Sequence, residues 1–272
     1  AIALKVKKDI PTGSGKTVIE QCMATRMRRK HIATTIIAPL KGHEYARAVK
    51  AMGGQFIRIS TGSPHCINVM EIRPTDNSAN RLLDGEMEEE SCLSMKIDSL
   101  LIFFSIIMPE MTNIEEQLLD EALVKTYGDF GITNDNRSLL DPDHPGRFKR
   151  MPILGDLYKN LRDNPKADRL AIVLNRFVGG SARAFNNQTN VDLSNPYTVI
   201  DLSYLKKKLL SAGMFIATDL IWDLAKQNRL KQKAIVIDEV WQLIGSSSSP
   251  QAAEYLVEMA KIGRAYNTSI IF

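Results

Sequence analysis

Pro11-Thr12-Gly13-Ser14-Gly15-Lys16-Thr17 and, far downstream, Ala234-Ile235-Val236-Ile237-Asp238-Glu239 decide the reading of this chain. In the first stretch Gly13 and Gly15 let successive backbone N–H groups turn inward around a phosphate, and a helix opening near Lys16 points its positive end at the same place. Lys16 then reaches the β and γ phosphates, and Thr17 offers a hydroxyl to Mg²⁺, which makes Gly-Lys-Thr the closing half of the P-loop pattern. The second stretch is a short run of apolar residues with two acids directly after it. Such a run suits a strand buried on both faces of a parallel sheet, and the acids fall where open α/β sheets bind their ligands. In that reading Thr17 and Asp238 hold the metal and Glu239 polarises the attacking water. The two stretches are halves of one nucleoside triphosphatase site on an α/β fold. Thr12, Gly13, Ser14, Gly15, Lys16 and Thr17 bind ATP, and the implied cofactors are ATP and Mg²⁺.

Each half has a simpler reading. A Gly/Ser turn before a helix explains Pro11 to Thr17, and a helix N-cap with a first-turn acid explains Asp238 and Glu239. Their presence in one chain favours the paired site. The P-loop pattern also asks for glycine at position 10, where this chain has Ile10, a β-branched residue ill suited to positive φ. The segment ahead of it, Leu4-Lys5-Val6-Lys7-Lys8-Asp9, is too charged for the buried strand that precedes a P-loop. Altered or missing residues near 6–11 are therefore expected.

With 272 residues, 44% of them hydrophobic and 24% charged, the chain can bury a sizeable core. The net charge of +4 permits contact with nucleic acid or an acidic membrane surface without arguing for either. The basic run Arg26-Met27-Arg28-Arg29-Lys30 reads as a solvated helix end, since cations there are favoured by the helix dipole. Cys22, Cys66 and Cys92, odd in number and widely spaced, indicate neither a disulfide framework nor a zinc site, and a reducing cytoplasm is the expected setting. His31, His43, His65 and His144 lack ligand-like spacing. The run Leu100 to Met108 is far short of the roughly 20 residues a membrane helix needs and reads as a buried helix. No transmembrane segment or signal peptide is expected.

Periodicity predicts a helix over 16–29 with Ile19, Met23 and Met27 on its buried face, and a strand over 32–38. A helix over 43–52 and a strand over 55–60 near the sheet edge follow. The pattern then turns helical at 90–108, 113–127, 153–162 and 166–177, with a polar loop over 127–151. A strand over 198–203, a helix over 206–227 and the strand over 234–237 restore the α/β alternation. The layout is a nucleotide-binding core in two parts, 1–79 and 196–272, with a helical subdomain inserted over 80–195. Trp241 is expected to pack beneath the helix of the site, and Ser246 to Ser249 with Pro250 to form a turn.

Several strings beyond the nucleotide motifs share an order and spacing with a known family. They are Gly42-His43-Glu44-Tyr45, Cys66-Ile67-Asn68-Val69-Met70-Glu71-Ile72, Pro152-Ile153-Leu154-Gly155-Asp156-Leu157, Gly179-Gly180-Ser181 with Phe185-Asn186-Asn187-Gln188-Thr189-Asn190, and Asp238-Glu239-Val240-Trp241. In these the chain resembles, over nearly its whole length, the large ATPases of conjugation and type IV secretion systems. These form the CagE/TraE/VirB family in the FtsK-HerA class of P-loop motors.

The resemblance implies a RecA-like core with a mainly parallel sheet, an all-α insertion, and an ATP-hydrolysing motor that energises assembly of, or transport through, a secretion channel. It also implies a homo-hexamer, partners among the other secretion components, and a place at the cytoplasmic face of the inner membrane. Arg264, in Lys261-Ile262-Gly263-Arg264, is similar to the arginine that reaches a neighbouring subunit's γ-phosphate in such motors, and so joins Lys16 and Glu239 as a catalytic residue. Without the resemblance, a surface ion pair at a helix end is the favoured reading of Arg264. Two departures stand out: Ala38 replaces an acid usual before Pro39, and Ser269-Ile270-Ile271-Phe272 ends inside a buried strand, as expected of a truncated catalytic domain. A DNA-pumping ATPase and a nucleotide-binding scaffold that does not hydrolyse ATP are the alternative functions.

Overall fold

The computed structural model describes residues 15–60, 63–73, 90–180, 182–244 and 250–272. The charged stretch at 4–9, the expected boundary at 80, Ser181 and the turn at 246–249 lie outside the described residues. The chain divides into two compact units, one of residues 1–60, 75–85 and 191–272, the other of 61–74 and 86–190.

The first unit is built on a five-stranded parallel sheet. Its strands are β1 (Ala33–Ala38), β2 (Gln55–Arg58), β3 (Tyr197–Asp201), β4 (Lys233–Ile237) and β5 (Thr268–Ile271), in the order β2-β3-β1-β4-β5. Every neighbouring pair is parallel, with Ile36 opposite both Val199 and Val236. The β-branched runs of β1, β3 and β4 are central because both their faces are covered, and β2, with its mixed alternation, takes one edge as its pattern predicts.

One face of the sheet carries Ile36, Ala38, Tyr197, Val199, Val236 and Ile271. Against it pack α1 (Lys16–Arg29) and α2 (Gly42–Ala51) through Ala24, Tyr45 and Val49. Ile37, Ile200, Ile235 and Ile237, fully or nearly buried, alternate to the other face. There α7 (Lys207–Lys226) lies against β1 and β4. Helix α8 (Trp241–Ile244) follows β4, and α9 (Pro250–Ile262) precedes β5.

One detail of α1 differs from its hydrophobic pattern. Met23 and Met27 pack toward the core as expected, but Ile19 is 60% exposed. The inward stripe runs through Glu20, Met23, Ala24 and Met27, so the position nearest the strand ends is filled by a glutamate with a buried partner, which apolar periodicity does not register.

The second unit is helical: α3 (Cys92–Ile107), α4 (Asn113–Asp129), α5 (Leu154–Arg162) and α6 (Asp168–Val178). Phe103, Phe104 and Phe177 are buried and meet edge to face, with Phe103 centred 5.5 Å from each of the other two rings. Ser91 caps α3 by accepting from the Ser94 amide, and Thr112 with Glu115 forms a reciprocal capping box on α4.

Residues 63–73 belong to this unit. Ile67, Val69 and Met70 are buried, and Tyr127 donates to the Met70 carbonyl at 2.6 Å. Asn68 donates to the Pro152 carbonyl at 2.9 Å while its own amide donates to Thr189 Oγ1 at 2.9 Å. The polar stretch after α4 folds into a 3-10 turn, Asn136–Leu139, and an antiparallel bridge from Leu140 to Phe148.

Candidate nucleotide site

The closing half of the P-loop motif opens α1. Gly15 is its N-cap in the left-handed region at φ +83°, a conformation that suits glycine, and Lys16 is the first helical residue. Lys16 and Thr17 thus stand at a helix N-terminus, where backbone N–H groups lack intrahelical partners and favour an anion. Thr12, Gly13 and Ser14, with Ile10, lie outside the described residues.

Asp238 and Glu239 follow β4 at the carboxyl edge of the sheet. The Asp238 amide donates to the Ile37 carbonyl at 3.1 Å, continuing the ladder one residue past the strand, and its side chain is buried. Glu239 then takes a left-handed φ of +50°, one of three such non-glycine residues among those described. That turn brings its carboxylate 4.0 Å from Lys16 Nζ, so residues more than two hundred positions apart in the chain meet in one place. Trp241 donates its indole N–H to the same carboxylate and is 53% exposed. The expectation that Trp241 packs beneath a helix is therefore wrong: its ring stays exposed and its indole N–H is taken up by the Glu239 carboxylate, a polar partner that draws it away from the core.

Two further residues belong to this place and carry no signal in the nucleotide motifs. Tyr45, on the first turns of α2, is fully buried. Its hydroxyl donates to Glu20 of α1 and stands 3.5 Å from Asp238 Oδ2. Burial, then the charge of Asp238, pushes Glu20 up to about 7. Burial, then Glu239, also raises Asp238 above the usual carboxylate range, and burial together with Glu20 and Asp238 raises the Tyr45 phenol. The sequence hint was slight: Glu20 lies three residues after Thr17, hence on the same side of the helix.

Strand β3, on the other side of β1 from β4, ends on another buried acid. Asp201, in register with Ala38, accepts from Ser203 N at 3.0 Å and from Arg58 Nε at 3.1 Å, and Arg58 lies over the Tyr204 ring. A Cβ on Gly42 would fall 2.0 Å from Asp201 Oδ1, so α2 can begin this close only with glycine there. The acid expected before Pro39 is replaced by Ala38, but a neighbouring strand sets a carboxylate at that level.

Arg264 is not brought to Lys16 and Glu239. It is exposed on the 3-10 turn Gly263–Tyr266 that leads into β5, and Thr268 is in register with Lys233 at the start of β4. Arg264 therefore lies at the amino edge of the sheet, a strand length of about 16 Å from Asp238 at about 3.3 Å per residue. The turn is braced by Arg229, which donates to the Ala265 carbonyl at 3.1 Å and lies over the Tyr266 ring.

The donor set fits a hard divalent cation. Asp238 and the Thr17 hydroxyl are oxygen donors, and the carboxyls of Asp238 and Glu20, raised by burial first and by a neighbouring acid second, stand where a cation would relieve them. Among the described residues no group of three or more His, Cys, Asp or Glu side chains forms a cage for a metal. Mg²⁺ needs none, since it is commonly held by one or two carboxylates and substrate phosphates. No helix among the described residues is long and apolar enough to cross a membrane.

No protein-family profile and no curated protein matches the sequence. Solved structures do match. VirB4 of Thermoanaerobacter pseudethanolicus superposes with a TM-score of 0.78 at 24% identity, over 94% of this chain and 92% of that one. The bacterial conjugative coupling protein TrwB, in a form lacking its first seventy residues and bound to sulphate, aligns at 12% identity over 90% of this chain and 63% of that one, with a TM-score of 0.36. The five-stranded parallel sheet flanked by helices, with the start of α1 and the β4 acids at its carboxyl edge, is thus the RecA-like α/β fold of VirB4.

Proposed function

We propose that this chain is the catalytic domain of a type IV secretion or conjugation ATPase that hydrolyses Mg·ATP to drive assembly of, or transport through, the secretion channel. The observation that carries this reading is the approach of Lys16 Nζ to within 4.0 Å of Glu239. It joins the two halves of the nucleotide motif. The family strings and the VirB4 fold support the same reading.

The ammonium of Lys16 faces the Glu239 carboxylate at 4.0 Å. An arriving triphosphate draws Lys16 to its β and γ oxygens and leaves Glu239 free, held by the Trp241 indole N–H. Glu239 then accepts a proton from a water whose oxygen bonds to the γ phosphorus. The bond from that phosphorus to the β-bridging oxygen breaks, releasing ADP and phosphate with no covalent enzyme intermediate. Thr17 and Asp238 would hold Mg²⁺, which supplies charge neutralisation across the β and γ phosphates. Arg264 lies at the amino edge of its own sheet; in a hexamer acting beside the other secretion components at the cytoplasmic face of the inner membrane it would serve a neighbouring protomer's nucleotide.

Phosphate release measured against protein concentration tests this. Wild type should release phosphate with an activity per protomer that rises on assembly, and Glu239→Gln should reduce it by about 10²–10⁴-fold while nucleotide binding persists. Lys16→Ala should lose binding as well. Equal release by wild type and both variants overturns the reading. Binding without release marks a nucleotide-dependent scaffold. Stimulation by DNA, with binding that falls steeply as salt rises, marks a DNA pump.

A further inference from the structure

Helix α2 sends one side chain to both halves of the nucleotide site. The Tyr45 ring is fully enclosed in the core beneath α1 and α2 with Val49, Tyr197 and Val199, so its position is set by packing. From that fixed ring the hydroxyl contacts Glu20, one turn beyond Thr17 on α1, and lies 3.5 Å from Asp238 Oδ2 at the end of β4. A second tie, Gln21 Nε2 to the Glu44 carbonyl at 3.0 Å, joins the same two helices. A buried hydroxyl between two carboxylates is poorly explained by stability alone. Phenylalanine would fill the space and spare the desolvation of a phenol beside two acids.

We infer that Tyr45 is a positioning residue for the metal carboxylate. Its hydroxyl shares its single proton between Glu20, on the helix that bears Lys16 and Thr17, and Asp238, and so ties Asp238 to that helix and holds the metal and the phosphates in one geometry. This rests on the proposed nucleotide site. Groups that orient a metal ligand from outside the coordination shell typically alter metal affinity by about 10–100-fold when removed, although they touch neither metal nor substrate.

Tyr197 provides a matched control. Its hydroxyl is buried in the same core and has no hydrogen-bond partner among the described residues, so Tyr197→Phe removes the same atom from the same layer without touching a carboxylate. The experiment titrates Mg²⁺ against binding of a fluorescent ATP analogue to the purified full chain, with a parallel measurement in EDTA. Tyr45→Phe should raise the Mg²⁺ concentration for half-maximal binding by about tenfold, at the low end of the range for such groups. Affinity in EDTA should stay within about twofold, because Tyr45 touches no phosphate-binding group. Tyr197→Phe should leave both values unchanged.

An unchanged Mg²⁺ requirement in Tyr45→Phe, or the same rise in Tyr197→Phe, overturns the positioning role while the nucleotide site stands. Wild type that binds the analogue neither with Mg²⁺ nor without it overturns the proposed function itself. Should Tyr45→Phe fail to fold, Glu20→Ala removes the hydroxyl's anchor and carries the same test. A raised Mg²⁺ requirement supports the role, and an unchanged one refutes it.

Discussion

The cores of the two units bury side chains to opposite ends. In the helical unit Phe103, Phe104 and Phe177 meet edge to face, and the polar groups beside them are satisfied by neutral partners such as the Met70 and Pro152 carbonyls. In the sheet unit the layer beneath α1 and α2 ends at the carboxyl edge in Glu20, Tyr45 and Asp238, with both acids raised first by burial and then by a neighbouring carboxylate, Asp238 for Glu20 and Glu239 for Asp238. The first arrangement is what stability alone selects. The second costs stability and makes sense if a ligand of opposite charge completes it, so the contrast points to function more directly than any single motif.

The largest expected effect breaks the comparison on its apolar side. Phe103→Ala opens a cavity among rings that have no freedom to collapse, and should lower the unfolding free energy by about 3–5 kcal/mol in a denaturant titration. A loss under about 1 kcal/mol would mean that the aromatic cluster is not the centre of that unit.

The next effect tests the polar side and depends on pH. Glu20 has a folded-state value of about 7 against 4.5 for the free side chain. The folded protein therefore binds more protons than the unfolded chain between these values, and stability falls as pH rises through that window in the absence of metal. Asp238, shifted in the same direction, adds to the slope. Glu20→Gln should flatten the decline in thermal midpoint between about pH 4.5 and 7, and Mg²⁺ with nucleotide should flatten it in wild type. An unchanged slope in Glu20→Gln would remove Glu20 from the buried cluster.

The smallest effect sharpens the apolar side again: Thr112→Ala deletes the hydroxyl of the α4 capping box and should cost about 1 kcal/mol, with no change in slope over the same pH window.

Much of this was legible in the chain. The apolar runs at 32–38 and 234–237 are strands because only a doubly covered parallel strand needs so few polar residues, and the alternation at 55–60 marks an edge. The Gly-Lys-Thr end and the Asp-Glu pair were readable because their chemistry is local in sequence: each is a residue type that the proposed phosphate and metal contacts would call for. Glu20 was not readable, since a glutamate in the second turn of a helix looks like an ordinary solvent-facing acid. Trp241 and Ile19 were misjudged for a related reason. Periodicity counts apolar residues but does not know which positions a neighbouring element leaves uncovered. The allegiance of 63–73 was hidden too, because Asn68 and Met70 are claimed by Pro152 and Tyr127, far along the chain.

The sequence by itself determined the elements, the alternation that makes the sheet parallel, and the residue types of the nucleotide motif, because these follow from local conformational preference and from the spacing of apolar and special residues. Only the tertiary structure decided that Lys16 meets Glu239, that Tyr45 stands between Glu20 and Asp238, and that Arg264 lies at the opposite edge from its own Asp238. These are consequences of strand order and register. Parallel pairing sends the ends of β1, β3 and β4 to one edge whatever their distance in sequence, and burial there sets the charges of the groups that collect at it.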